Sequence, residues 1–271
     1  MNTRTRLIAL AAALSLAAPL ASCSAVRSTI AEGQEFAADL LIPVSEEVKL
    51  GQQISTEIEQ GVTIHADPQV QAWANAMGTK LVQAAGKDVS SGITFKFQVI
   101  DDPDTVNAMA LPGGWVYIYS GLLLVSDTEA EVAAVLGHEV AHVTRRHIAE
   151  RLVTIYGIDA LQQVVANQGG GALTSIISDV AANGYLLKYS RDHETDADLT
   201  GLTYLIRAGY DPNGFISFFK KLEGTSSSPE FLSSHPDPSN RIEAIRERLK
   251  GRDDLPTYTG SDALTQLKSR L

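Results

Sequence analysis

A single cysteine among 271 residues means that no intrachain disulfide braces this chain and no cluster of thiolates can bind a metal. Basic charge is also scarce. The 22 Lys and Arg against 32 Asp and Glu leave a net charge of -10, which argues against nucleic acid as a partner, because phosphates are bound by clustered Lys and Arg. No internal repeat is evident, and beyond the N-terminus there is no unbroken apolar run long enough to span a membrane. The one charge-free stretch, from Thr105 to Ser126, is cut by Asn107, Pro112, Gly113 and Gly114. With "WVYIY" inside it, it reads as strand, Pro-Gly-Gly turn, strand and the run-in to a helix. What remains is an ordinary globular composition, 44% apolar and 20% charged, sufficient for one large domain or two small ones.

Residues 1–22 read as a signal peptide: Arg4 and Arg6 precede the short apolar run "LIALAAALSLAAPLA". The run ends in Leu20-Ala21-Ser22-Cys23, which resembles a bacterial lipobox with Cys23 as the lipidated first residue of the mature protein. Lipidation also accounts for a lone cysteine, an odd leftover in an oxidising compartment. Several acyl chains would anchor the protein stably where one would not. Ser24, in place of Asp, implies sorting to the outer membrane. The expectation is a periplasmic protein tethered to that membrane through residues 23–44.

Periodicity predicts helices over 45–61 and 67–86, the second capped by Asp67 with Pro68 at its first position. "ITFKFQVID" alternates as a strand does. Ser126 and Glu129 have capping-box spacing, predicting a helix from there to about residue 150, apolar almost all round and therefore buried. Further helices fit 173–188, 191–208, 212–223 and 239–250, after a glycine-rich break, "NQGGGALTS". The glycines of that break lack phosphate-loop spacing. The tail over 251–271 is polar, with a weak helical pattern after Asp262.

"VLGHEVAHVTRRHIAE", residues 135–150, holds three of the six histidines. His138-Glu139-Val140-Ala141-His142 is an H-E-x-x-H motif. On a helix its two histidines lie about 40° apart in projection and can grip one ion. Glu139, turned by about 100°, stands beside the ion, where a base would take a proton from the attacking water. His147 follows His138 by about 900° of rotation, half a turn off that face of an unbroken helix, so it reads as structural, or as a support for a ligand, and not as a ligand itself. Two ligands then need a third. His65, His193 and His235 are candidates, as are many acids. In "YSRDHETDADLTG", Glu194 could bind the metal while Asp198, one turn on, holds a ligating histidine's second N–H. The same residues also suit a solvated acidic face, and spacing leaves both readings open.

"NAMALPGGWVYIYSGLL", "AAVLGHEVAHVTRRH", "SRDHETDADLTG" and "SSHPDPSNRI" occur in the order of the motifs of the HtpX-, Oma- and CAAX-prenyl-protease-like zinc metallopeptidases, which the chain resembles over roughly 45–250. With a lipobox in place of membrane helices, it is most similar to the soluble periplasmic lipoprotein branch (BepA- and LoiP-like). The resemblance implies an α+β, mostly helical gluzincin (zincin-like) fold with a small antiparallel sheet and an active-site helix. One zinc ion per chain is implied, on His138, His142 and Glu194, with Glu139 as general base and Asp198 supporting a ligand. Asn107 and Ala108 fall on a strand lining the cleft, where substrate can add as a strand. His235 and Arg241 match residues that reach toward the zinc as transition-state stabilisers, or, for His235, as a movable plug.

The implied function is hydrolysis of peptide bonds in misfolded or misassembled envelope proteins. The C-terminal repeat domain of some relatives is missing from this sequence, which puts a dedicated docking surface for outer-membrane assembly machinery in doubt. An alternative is a zinc-bearing, chaperone-like binding protein with a latent site, which would have no use for Glu139. A purely structural zinc would want a fourth protein ligand, and the only cysteine stands at the lipobox.

Overall fold

The computed structural model describes residues 42–157, 159, 174–179, 188–223, 230–235 and 238–271. The expected signal peptide, the lipidation site Cys23, the tether up to residue 41 and most of the glycine-rich break lie outside the described residues.

Two helices open the described chain, α1 (Val44–Gly61) and α2 (Pro68–Ala85). The second starts where expected: the Gln69 N–H donates to Asp67 Oδ1 at 2.7 Å, and Pro68 loses nothing at a position whose N–H has no helical partner. Next come β1 (Lys96–Ile100), β2 (Ala108–Ala110) and β3 (Trp115–Tyr119), in the order β1-β3-β2. The sheet is mixed where an antiparallel one was expected: β2 runs against β3, but β1 runs parallel to it. Two reversals in succession, β1 to β2 and β2 to β3, bring β3 back to the direction of β1, and β3 takes the place between the other two. The turn between β2 and β3 needs its glycines, since Gly113 and Gly114 have φ of 75° and 103°. The uncharged stretch thus forms two strands and the short helix α3 (Ser120–Val125). Among the described residues no helix is long and apolar enough to cross a membrane.

The central element is α4 (Glu129–Thr144), buried from Glu129 to Val143. Its capping box is Thr128 with Glu131, two residues later than predicted. The Glu131 N–H donates to Thr128 Oγ1 at 3.2 Å and the Asp127 N–H to Glu131 Oε2 at 2.6 Å. Ser126 instead closes α3, its hydroxyl donating to the Leu122 carbonyl. Nor does α4 run to residue 150. It stops at Thr144, Arg146 takes a left-handed φ of 58°, and α5 (His147–Tyr156) starts afresh. Tertiary bonds fix that break: Arg146 donates to Glu47 in α1 at 2.9 Å through Nε, and also to the Ile42 carbonyl.

On α4 pack α6 (Arg191–Arg207) and α7 (Asn213–Glu223); α8 (Glu230–Ser234) brings Phe231 beside His138, and α9 (Pro238–Leu249) packs on α6 and α7. The stretch from Gly251, expected as a polar tail, carries α10 (Ser261–Lys268), which buries Leu264 and Leu267. It docks where α4 begins: the Ala130 N–H donates to the Thr259 carbonyl, Tyr258 to Glu129, and Lys268 to the Ser126 carbonyl.

Candidate metal centre

Two helices carry the centre, and they cross at a pair of glycines. A Cβ on Gly201 of α6 would lie 2.7 Å from the Gly137 carbonyl carbon of α4, so bare backbone is what lets the helices touch. One residue past Gly137 stands His138; one and two turns before Gly201 stand Asp198 and Glu194. The crossing thereby brings both histidines of the motif against both carboxylates.

Ligand atoms of His138, His142, Glu194 and His235 all lie within 4.8 Å of one another, and all four residues are buried. The Nε2 atoms of His138 and His142 are 2.9 Å apart. Glu194 Oε2 is 3.6 Å from the first and its Oε1 3.5 Å from the second. Asp198 occupies the place expected of it: its Oδ1 is 2.8 Å from His138 Nδ1. A carboxylate only accepts, so the proton sits on Nδ1 and His138 presents the Nε2 lone pair inward. The candidates His65 and His193 are not brought in. His65 Nδ1 accepts the Asp67 N–H, and His193 bonds Glu150.

Burial sets the charges. It lowers the pKa of His138 and holds that of His142 well below the usual value, leaving both imidazoles neutral donors of lone pairs. Burial works in the opposite direction on Glu194, but His235 and Arg241 outweigh it and keep the carboxyl ionised. Glu139 has little such help. Its burial pushes the pKa up to about 7, only partly opposed by His235, and its Oε1 is buried without a hydrogen-bond partner. A base beside a cation wants that state: near neutral, desolvated and able to take a proton.

His235, on the turn after α8, reaches the same cluster. Its Nδ1 is 3.0 Å from Glu194 Oε1, its Nε2 is 3.4 Å from Glu139 Oε1, and its ring stacks on Phe231. Arg241 arrives too, but differently from the expectation that it would stabilise a transition state directly. Its guanidinium is committed to carboxylates, gripping Asp198 through Nε and Nη2 at 2.6 and 2.7 Å and Glu194 Oε2 through Nη1 at 2.7 Å. Here it holds the ligand side of the site in place.

Asn107 and Ala108 lie at the sheet edge. The Tyr119 N–H donates to the Asn107 carbonyl and the Leu111 N–H to the Trp115 carbonyl, so by antiparallel alternation Ala108 and Ala110 turn their backbone groups outward. The Ala108 N–H bonds the Asn107 side chain, and the Ala110 N–H bonds Glu139. The outer edge of β2 therefore runs directly beside the candidate base.

One neighbour was missed from sequence. Tyr189 stacks flat on His142, ring centroids 3.8 Å apart, and the periodicity of 191–208 gave no sign of it. His147, read as structural or as a support for a ligand, has its Nδ1 3.0 Å from His142 Nδ1. It does not join the four-residue cluster, as expected, but the half-turn argument presumed an unbroken helix. The adjacent Arg145 and Arg146, cations of the kind that mark a last turn, were the available signal.

The donor set fits a divalent ion of the zinc type: two neutral imidazoles and a carboxylate, with a third imidazole alongside.

The sequence profile of peptidase family M48 matches residues 68–249. A beta-barrel assembly-enhancing protease of Yersinia pestis is 30% identical over 237 residues, 82% of this chain and 48% of the relative. The protein of the same name in Escherichia coli K12 is 28% identical over 82% of this chain and 47% of its own length. The mitochondrial metalloendopeptidase OMA1 of Saccharomyces cerevisiae is 34% identical over 201 residues, 68% of this chain and 56% of its own. The chain spans about half the length of the curated relatives it matches.

Proposed function

The chain belongs to peptidase family M48, and from that premise we propose that it is a zinc-dependent endopeptidase acting on misfolded or misassembled proteins of the cell envelope. The observation that carries this reading is the juxtaposition of three convergent ligand groups, on His138, His142 and Glu194, with a buried carboxylate oxygen on Glu139 that no hydrogen bond satisfies.

Zinc held there would supply Lewis acidity, acidifying water and polarising the scissile carbonyl. The chain's own residues do the rest. A peptide lies along the edge of β2, bonding the outward carbonyls of Ala108 and Ala110 and displacing the Asn107 side chain from the Ala108 N–H. Glu139 takes a proton from the attacking water and returns it to the leaving amine. His235, 3.4 Å from Glu139, is placed to steady the developing oxyanion once it swings off Glu194. Arg241 and Asp198 hold Glu194 and His138 in register. The lipobox at Cys23 supports a protein anchored to the outer membrane and facing the periplasm, where relatives named for β-barrel assembly suggest the kind of substrate and machinery it meets.

The burial of His235 among Glu194, His138 and Glu139 favours a second reading, a zinc-bearing, chaperone-like protein whose site is latent at rest. Zinc content and cleavage of a chemically unfolded protein, measured on the wild type, Glu139→Gln and His235→Ala, separate the two. The protease reading expects zinc in all three and a loss of at least about a hundredfold in Glu139→Gln. Wild-type turnover by zinc-loaded Glu139→Gln would sink it. Cleavage that emerges only in His235→Ala would favour latency.

A further inference from the structure

We propose that His147 and Asp196 are positioning residues for the metal, a two-step chain that fixes His142 in the tautomer whose Nε2 faces the ion. The proposal rests on the reading of His142 as a ligand and extends the set of residues that act on it.

The proton placement follows from the outer end inward. Asp196 Oδ2 accepts from Arg145 Nε at 2.6 Å and lies 3.1 Å from His147 Nε2. Paired with the Arg145 guanidinium at a partly exposed position, Asp196 stands as a carboxylate, which only accepts. His147 Nε2 therefore carries the proton. In the neutral ring Nδ1 is then a lone pair, and its neighbour at 3.0 Å is His142 Nδ1. One of two facing nitrogens must donate, and here it is His142. With its proton on Nδ1, His142 has its lone pair on Nε2, the atom 3.5 Å from Glu194 Oε1.

The chain is held rigidly. His147 is buried, and its ring stacks on His193 with centroids 4.5 Å apart and planes 14° apart. His193 Nε2 is in turn 2.9 Å from Glu150 Oε2. The two histidines of the motif are supported in parallel fashion. His138 Nδ1 meets Asp198 directly, backed by Arg241; His142 Nδ1 meets Asp196 through an intervening imidazole, backed by Arg145. Both carboxylates stand on α6, two positions apart. The break at Arg146 is what makes the longer route geometrically open, because it swings His147 back over His142.

The test measures zinc affinity on the whole chain by competition with a chromogenic chelator, in the wild type, His142→Ala, His147→Phe, His147→Asn and Asp196→Ala. Phenylalanine keeps a ring but removes the acceptor, whereas the asparagine oxygen sits near where Nδ1 was. His147→Phe should weaken zinc binding by about 10–100-fold and Asp196→Ala by about tenfold, with His147→Asn recovering most of the loss. In the zinc-loaded wild type, proton NMR should show a downfield imidazole N–H from His142 that is missing in His147→Phe, a signal that mere packing would not move. If His147→Phe fails to fold, Asp196→Ala, altered at a half-exposed position, decides alone. Zinc affinity in both within about twofold of the wild type, against a clear loss in His142→Ala, overturns the chain while leaving the metal site standing, since partners of this kind are worth about tenfold or more. Equal zinc binding by the wild type and His142→Ala overturns the metal reading itself, and the chain with it.

Discussion

Gly137 and Gly201 face each other across the helix crossing, so near that a Cβ on Gly201 would sit 2.7 Å from the carbonyl carbon of Gly137, and one on Gly137 3.1 Å from the Gly201 carbonyl oxygen. His138, His142, Glu194 and Asp198 all come from these two helices, so the crossing sets how closely they meet. Gly201→Ala should cost about 1–3 kcal/mol in urea unfolding, as overpacking does. It should also weaken zinc, because it moves Glu194 and Asp198 away from the histidines. Gly137→Ala, whose added carbon has slightly more room, should cost less. The reverse ranking would mean that the helices separate without strain.

Zinc binding should stabilise the fold by mass action. At free zinc about 100 times its dissociation constant the gain is about 2.7 kcal/mol. A chelator should lower the melting temperature of the wild type and leave that of His138→Ala unmoved. Equal chelator sensitivity in both would place the ion elsewhere.

In metal-free protein Glu139 and His235 should withdraw stability as pH rises through neutrality. Folded Glu139 keeps its proton up to about pH 7, where an unfolded glutamate has lost it near 4.5. His235 has its folded pKa raised, because Glu194 and Glu139 outweigh the effect of burial. Both groups bind more protons folded than unfolded, so their contribution is full below the unfolded values and is lost as pH rises through the folded ones; His138 and His142, with folded pKa lowered, act in the opposite sense up to about 6.5. The comparison with a variant isolates Glu139: from pH 5.5 to 8, chelator-treated wild type should lose more melting temperature, or gain less, than Glu139→Gln. An unchanged slope in the variant would move the effect to other groups.

Arg241 should prove structural before it proves catalytic. Removing it leaves Asp198 and Glu194 buried without their shared cation, a loss of about 3–5 kcal/mol for Arg241→Met in the metal-free protein. Zinc should recover part of that loss by restoring positive charge beside Glu194. Urea midpoints with and without zinc give both numbers. A variant as stable as the wild type would imply that the carboxylates had protonated or been rehydrated.

The helical segments were largely legible because hydrophobic periodicity and caps such as Asp67 act locally. His138, Glu139 and His142 were legible for the same reason, since one helix fixes their spacing. Glu194 and Asp198 were not legible by spacing alone, because what singles them out is contact with another helix through Gly137 and Gly201. The mixed sheet, the shift of the capping box to Thr128 and the break at Arg146 were also hidden. Each depends on a partner remote in sequence, and Arg146 most plainly, being held by Glu47 and Ile42.

The docking of residues 258–270 onto the start of α4 has a consequence in time. A chain made from its N-terminus presents His138 and His142 long before Tyr258, Thr259 and Lys268 can reach Glu129, Ala130 and Ser126. Until they arrive, the near end of the helix lacks its outer clasp. The metal centre is thus among the last parts of the molecule to set, and a half-made chain carries the motif without a finished site.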